Sequence, residues 1–218
     1  MPELPLHRGT RLERGLYLIT PDERDPARLL ERVLPLLPFA ACVQLRAKSM
    51  GDHALRDAGT RLRDACAETG LAFIVNDDAR LAHALHADGV HLGEHDGGIP
   101  EARTLLGDAA IIGISCYDDL QRARDAAAAG ADYIAFGAFF PSPTKPNARR
   151  ASPALLRDSA DLGIPRVAIG GITPDNARPL VEAGADLIAV ISGVFDAQDP
   201  IRAALAYLSC FEDPTHES

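Results

Sequence analysis

The sequence predicts a single α/β domain, a (β/α)8 TIM barrel of parallel strands, and three observations support this. Eight short apolar runs recur along the 218 residues, and most are apolar on both faces, as parallel strands covered by helices are. Segments with helical spacing lie between these runs. Three of the runs follow the same Ala-Asp step, which indicates an internal repeat. Eight alternating units favour a closed barrel over an open doubly wound sheet, the structural alternative.

The strands are expected at the apolar runs. In chain order these are GLYLIT (15–20), AACVQLR (40–46), LAFIVN (71–76), GVHL (89–92), AAIIGIS (109–115), DYIAFG (132–137), PRVAIG (165–170) and DLIAVI (186–191). The repeated aspartates, Asp88, Asp132 and Asp186, lie 44 and 54 residues apart. Each gap equals about two strand–helix units, so the repeat assigns strands four, six and eight.

The helices are expected between the strands, with recognisable ends. Residues 54–70 and 119–130 repeat apolar positions every three or four residues and close on glycine, a common helix C-cap. In residues 173–184, Thr173 suits the N-cap and Pro174 the first helical position. We expect the barrel to occupy residues 15–210, between a weakly ordered N-terminal extension (1–14) and a C-terminal tail (211–218).

Composition excludes several classes of function. The net charge of −9 gives the chain no general attraction to nucleic acid or to an anionic membrane, so its partners should be small molecules. The four cysteines are scattered and form no Cys-x-x-Cys pattern, which indicates a reducing compartment. We find no signal peptide and no apolar run of about 20 residues, so we expect a cytoplasmic protein. The oligomeric state is open, and a homo-oligomer is allowed.

Charged residues follow the second, third and fourth strands, at the barrel end where active sites of this fold form. Gln44, Arg46 and Lys48 alternate, so in an extended chain they share one face. On an open sheet edge this pattern would be a solvated face. Inside a barrel mouth, two cations require an anion.

Carboxylates follow the next two strands, in NDD (76–78) and GEHD (93–96). Carboxylates at neighbouring exits suit Mg²⁺, which takes one or two of them with water and substrate phosphate oxygens. Spacing does not choose between Asp77 and Asp78, or between Glu94 and Asp96, and Asp78 would also serve as a helix N-cap. A site built from the clustered histidines is disfavoured, because they fall on different elements.

The remaining exits carry serines, glycines and one stiff loop. Ser115 follows strand five, Gly170 and Gly171 follow strand seven, and Ser192 and Gly193 follow strand eight. Loops seven and eight are the frequent phosphate site of this fold. In FFPSPTKPNARR (139–150), prolines hold Ser142, Thr144 and Lys145 in place. These groups together predict a site for two anions, one of them a diphosphate.

The motifs QLRAK, NDD, HLGEHD, FPSPTKP, IGGIT and VIS resemble those of the thiamine phosphate synthase family, over residues 15–208. The resemblance implies a (β/α)8 barrel that uses Mg²⁺ to join 4-amino-2-methylpyrimidin-5-ylmethyl diphosphate to a thiazole phosphate, by dissociative substitution. It implies diphosphate contacts from Arg46, Lys48, Asn76 and Lys145, metal ligands Asp77 and Asp96, pyrimidine contacts from Gln44 and Ser115, and thiazole phosphate contacts from Ser142, Thr144, Gly171, Ile191 and Ser192.

Four positions depart from the family pattern. Glu94 and His95 stand where Gln-Glu is usual, Ser142 replaces threonine, and Tyr117 stands where histidine is frequent. The first places a carboxylate at position 94, near the expected metal, and the last affects the pyrimidine end. The alternatives are a thiazole phosphate tautomerase, which handles one phosphate, and a non-catalytic thiamine phosphate-binding relative.

Overall fold

Eight parallel strands close into a barrel in chain order, with the last strand pairing to the first. This computed structural model describes residues 12–141 and 149–212. The strands are β1 (Gly15–Ile19), β2 (Cys42–Leu45), β3 (Ala72–Asn76), β4 (Gly89–Leu92), β5 (Ile111–Tyr117), β6 (Tyr133–Phe136), β7 (Arg166–Ile169) and β8 (Leu187–Val190). The predicted fold class and the order of all eight strands are confirmed.

Helices cover the outside of the barrel. They are α1 (Pro26–Val33), α2 (Asp52–Thr69), α3 (Ala79–Ala84), α4 (Ile99–Leu106), α5 (Leu120–Ala128), α6 (Pro153–Asp158), α7 (Pro174–Glu182), α8 (Ser192–Phe195) and α9 (Pro200–Leu208), with 3-10 turns at Leu34–Phe39, Ala160–Leu162 and Ser209–Phe211. The three predicted helices form: Gly70 ends α2 in the left-handed region, and Thr173 caps α7. Within the described ranges, no helix is both long and apolar enough to span a membrane.

The strands pack on two faces, as their apolar runs predict. An outer cluster fills the space between strands and helices. A smaller inner cluster fills the barrel, and it includes Leu12, Tyr17, Ile74, Tyr133 and Val167. Inward residues alternate along each strand, so Gln44, His91 and Ser115 also lie on the inner face.

Most strands begin or end one or two residues away from the predicted runs, and two of these differences lie at the predicted site. β2 ends at Leu45, so Arg46 begins a loop instead of extending the strand. β5 continues to Tyr117, two residues further than expected, because a register shift against β6 between Ser115 and Tyr117 accommodates an extra residue. Tyr117 has a φ of 55°, in the left-handed region.

The repeated aspartates fasten pairs of strands at the end opposite the predicted site. The Asp132 backbone N–H donates to the Ile112 carbonyl (2.8 Å), and its carboxylate accepts the Ile112 N–H (2.8 Å). Asp88 forms the same two bonds with Phe73, and Asp186 forms them with Arg166. Each aspartate thus clasps the start of its own strand to the preceding strand.

Candidate active site

The exit of β2 places Gln44 inside the barrel and Arg46 at its mouth. Buried Thr20 holds the backbone of Arg46 on both sides: its hydroxyl accepts the Arg46 N–H (2.8 Å) and donates to the Arg46 carbonyl (2.9 Å). The sequence predicts that Gln44, Arg46 and Lys48 share one face of an extended strand. The strand ends at Leu45, so only Gln44 belongs to it, and Arg46 and Lys48 lie in the following loop. Lys48 lies in the loop, exposed, with its Nζ 3.4 Å from Asp77 Oδ2.

The exit of β3 separates two adjacent carboxylates. Asp78 caps α3, where its Oδ1 accepts the backbone N–H groups of Arg80 and Leu81. Asp77 has a φ of 64°, and its backbone N–H donates to the His91 carbonyl at 2.8 Å. The side chain of Asp77 is therefore available beside Lys48, whereas that of Asp78 is engaged by the helix. Asn76, which precedes them, pairs with His91 in the β3–β4 register.

The loop after β4 carries Asp96 and the unusual Glu94. Asp96 Oδ2 accepts the Gly93 N–H at 2.9 Å, which holds this carboxylate over the end of β4. Glu94 instead lies 3.0 Å from Arg149, whose guanidinium stacks 4.9 Å above the Tyr117 ring. Two of the departures from the family pattern, Glu94 and Tyr117, thus contact the same arginine.

The donor set at these exits fits a hard divalent cation. Asp77 and Asp96 follow neighbouring strands, and carboxylate oxygens are what Mg²⁺ prefers. Across residues 12–141 and 149–212, no three His, Cys, Asp or Glu side chains converge as a metal site. A cation held here would therefore depend on two carboxylates and on oxygens from water and substrate.

A chain of hydrogen bonds crosses the barrel beneath this mouth. The Gln44 amide nitrogen donates to the Tyr17 hydroxyl (2.8 Å), which bonds the Tyr133 hydroxyl (2.8 Å). Tyr133 bonds His91 Nδ1 (2.9 Å), and His91 Nε2 bonds Ser115 Oγ (2.9 Å). The two residues expected at the pyrimidine, Gln44 and Ser115, are therefore the two ends of one network.

The middle of this chain is fully enclosed. Tyr17 and Tyr133 are at most 1% exposed, and burial raises the pKa of both phenols well above 10.0. Burial also lowers the pKa of His91 to about 4, although the Asp96 charge acts in the other direction, so the imidazole is neutral near pH 7. Sequence reasoning missed these three residues, because no local pattern links side chains as far apart as residues 17 and 133.

The loops after β6, β7 and β8 meet on the other side of the mouth. The Phe140 N–H donates to the Gly170 carbonyl (2.9 Å). Gly171 has a φ of 65°, and a Cβ there would lie 2.4 Å from the Pro141 carbonyl oxygen, so this position requires glycine. Ile191 lies between β8 and α8, and exposed Ser192 begins the helix. Ser142, Thr144 and Lys145 lie outside the described residues.

Comparisons with known proteins agree with this geometry. A family model described as thiamine monophosphate synthase matches residues 16–194. A thiamine-phosphate synthase of Xanthomonas campestris pv. campestris is 61% identical over 91% of this chain and 96% of its own length. One from Azoarcus sp. (strain BH72) is 56% identical over 93% of this chain and 99% of its own.

Solved structures give the same likeness. Thiamine phosphate pyrophosphorylase from Pyrococcus furiosus superposes with a TM-score of 0.81 at 36% identity, over 92% of this chain and 96% of that one. A 3-hexulose-6-phosphate synthase superposes with a TM-score of 0.69 at 16% identity, over 90% of this chain and all of its own, a likeness in fold alone.

Proposed function

The chain belongs to the thiamine monophosphate synthase family, and from this premise we propose the reaction and the roles of its residues. The enzyme joins 4-amino-2-methylpyrimidin-5-ylmethyl diphosphate to a thiazole phosphate, and the products are thiamine phosphate and diphosphate. The cations at the barrel mouth bind the diphosphate, and the side chains at the ends of the buried chain contact the pyrimidine.

The juxtaposition of Lys48 and Asp77, 3.4 Å apart, carries the proposal. A site for one monophosphate needs cations or backbone N–H groups, but it has no need of a carboxylate among them. A site for a diphosphate with its metal ion needs both, because the carboxylate holds the metal while the cation contacts phosphate oxygens. This distinction favours the synthase over a thiazole phosphate tautomerase.

Asp77 and Asp96 are the residues that would hold Mg²⁺, which supplies electrostatic stabilisation of the departing diphosphate when bound. Arg46, held at the mouth by Thr20, contacts the diphosphate, and Asn76 and Lys48 lie at the same edge of the barrel. We assign Lys145, which lies outside the described residues, to the same role on the basis of its motif. Arg46, Lys48 and Lys145 together neutralise charge that develops as the carbon–oxygen bond breaks.

The thiazole phosphate is assigned to the loops after β6, β7 and β8. Gly171, Ile191 and Ser192 offer backbone groups there, and the first N–H groups of a helix have no partner within the helix. Ser142 and Thr144 add hydroxyl donors. The thiazole nitrogen is a free nucleophile and the 4-amino group stabilises a cation on the pyrimidine methylene carbon, so the reaction requires no general base.

Turnover with defined substrates tests the proposal. Purified protein supplied with Mg²⁺, the pyrimidine diphosphate and the thiazole phosphate should form thiamine phosphate and diphosphate in equal amounts. Excess chelator should abolish the reaction, and added Mg²⁺ should restore it. Product binding without turnover would support a non-catalytic relative, and conversion of thiazole phosphate isomers in chelator would support the tautomerase.

A further inference from the structure

We propose that Tyr17, Tyr133 and His91 are positioning residues that fix the direction of hydrogen bonding at both ends of the buried chain, and thereby select the donor and acceptor pattern of the pyrimidine ring. The inner relay is the chain of five hydrogen-bonded side chains Gln44, Tyr17, Tyr133, His91 and Ser115. This inference rests on the proposed function, since it concerns how the pyrimidine diphosphate is recognised.

The direction follows from counting protons along the inner relay. Each hydroxyl has one proton to donate, and a neutral imidazole has one N–H. Gln44 donates through its amide nitrogen to the Tyr17 hydroxyl, whose other partner in the described part of the chain is the Tyr133 hydroxyl. Tyr17 therefore gives its own proton to Tyr133. Tyr133 then donates to His91 Nδ1, which leaves the imidazole proton on Nε2.

Both ends of the inner relay are thereby set. His91 Nε2–H donates to Ser115 Oγ, so the Ser115 hydroxyl proton remains to donate elsewhere. At the other end, Gln44 donates to Tyr17 through its amide nitrogen, so its Oε1 is the amide atom that can accept from a ligand. Gln44 thus offers an acceptor and Ser115 a donor, which matches an exocyclic amino group beside a ring nitrogen.

The barrel interior is built around this chain. Gly113 pairs with Tyr133 in the β5–β6 register, and a Cβ at Gly113 would lie 1.9 Å from Tyr133 Cζ. The Tyr133 ring also stacks on His91, with ring centres 5.4 Å apart. Barrels of this kind usually fill their interior with branched apolar side chains. Packing alone therefore does not explain a polar chain that ends at the two residues proposed to contact the substrate.

The inner relay couples the hydrogen-bonding directions at Gln44 and Ser115, so the two ends together should discriminate between a 4-amino and a 4-oxo ring. A ring with the opposite pattern, a 4-oxo group beside a ring N–H, needs a donor at Gln44 and an acceptor at Ser115. The intact inner relay meets that need only through the second N–H of Gln44 Nε2 and the second lone pair of Ser115 Oγ, or if the Gln44 amide turns over and every proton in the chain reverses. Removal of a middle hydroxyl separates the two ends, so that each adapts to the ligand independently.

The first experiment needs no variant. Nitrogen-15 NMR of the imidazoles in the ligand-free full-length protein, assigned by comparison with His91→Gln, reports which ring nitrogen carries the proton. We expect protonated Nε2 and bare Nδ1 on His91. A proton on Nδ1 would overturn the proposed direction, and this readout does not depend on turnover.

The second experiment measures selectivity in Tyr133→Phe and Tyr17→Phe. Wild-type thiamine phosphate formation is the reference, so its absence would count against the proposed function and not against the inner relay. The probe is the analogue of the pyrimidine diphosphate with a 4-oxo group and a ring N–H, assayed as a competitor of the amino substrate. We expect both variants to lower the ratio of the Ki of this analogue to the KM of the amino substrate by roughly tenfold, with the KM for thiazole phosphate unchanged.

Tyr207→Phe is the matched control, because it removes another buried phenol hydroxyl, one that donates to the Ile172 carbonyl (2.7 Å) outside the relay. It should leave the amino-to-oxo preference as in the wild type. A preference that is unchanged in all three variants, or narrowed equally in all three, would overturn the proposal and leave the chain a purely structural network.

Discussion

The carboxylate of Asp78 holds the first turn of α3, whereas that of the preceding Asp77 lies against Lys48. The left-handed backbone of Asp77 is what turns the two side chains apart. The sequence predicts that Asp78 suits the helix N-cap, and this is confirmed. Spacing alone does not choose which of the two aspartates holds a metal ion.

Paired variants should separate these roles. We expect Asp77→Asn to lower turnover at least tenfold and to raise the Mg²⁺ concentration needed for half-maximal rate, since it removes a charged ligand. Asp78→Ala should keep its Mg²⁺ requirement and lower the free energy of unfolding by about 1 kcal/mol, the usual effect of losing an N-cap. Titration of thiamine phosphate formation with Mg²⁺, beside chemical denaturation, makes both measurements. The reverse pattern would assign the metal to Asp78.

Glu94 contacts Arg149 at 3.0 Å, so its charge is already paired beside the proposed metal site. We expect Glu94→Gln to change the Mg²⁺ requirement by less than twofold, because the lost charge was already paired. Stability should change by less than about 1 kcal/mol, since both side chains are partly exposed. A marked rise in the Mg²⁺ concentration required would show that Glu94 itself is a ligand.

At the scale of the elements, the repeated Ala-Asp step corresponds to a repeated contact. Asp88, Asp132 and Asp186 each clasp an even-numbered strand to the odd-numbered strand before it. The sequence reveals the repeat and its spacing. It does not reveal the contact, because the bonded backbone groups lie 15 to 20 residues earlier.

Loss of one clasp should weaken the barrel without touching the site. Asp132 also binds Arg103 (2.7 Å), so Asp132→Ala leaves a part-buried guanidinium and a backbone N–H without this acceptor. We expect the free energy of unfolding to fall by about 2 kcal/mol, with KM for both substrates unchanged. Asp158→Ala, at the exposed end of α6, is the control and should change stability little. Equal effects of the two changes on urea denaturation would contradict the clasp.

At the scale of the whole molecule, the burial of His91 makes the free energy of unfolding depend on pH. Its pKa falls from 6.5 to about 4 on folding, because burial disfavours the charged ring; Tyr133, Ser115 and the Asp96 charge are the groups that face it. The folded state then binds fewer protons than the unfolded state between these two values. The contribution of neutral His91 to the free energy of unfolding is complete above about pH 6.5 and is lost as the pH falls toward 4.

Denaturation at a series of pH values checks this expectation. Over this window the wild-type protein should lose up to about 3 kcal/mol more than His91→Gln does, since 1 pKa unit corresponds to about 1.4 kcal/mol. Chelator should be present throughout, so that metal binding does not contribute. Parallel curves for the two proteins would mean that the imidazole titrates normally in the folded state.

The sequence predicts the barrel as a whole better than it predicts the inside of the site. Apolar runs, glycine C-caps and the Ala-Asp repeat are local, and they identify all eight strands in order. The end of β2 at Leu45 and the register shift at Tyr117 depend on neighbouring strands. The buried contacts of Tyr17, Tyr133 and His91 depend on closure of the barrel, so no local signal announces them.

The contact between Lys48 and Asp77 has a consequence for the order of arrival at the pocket. An ammonium group already beside a carboxylate competes with any cation that approaches it. A diphosphate offers Lys48 another anion, so it weakens that competition as it enters. We therefore expect the free protein to hold Mg²⁺ poorly by itself, and metal and pyrimidine diphosphate to enter most readily as a preassembled complex.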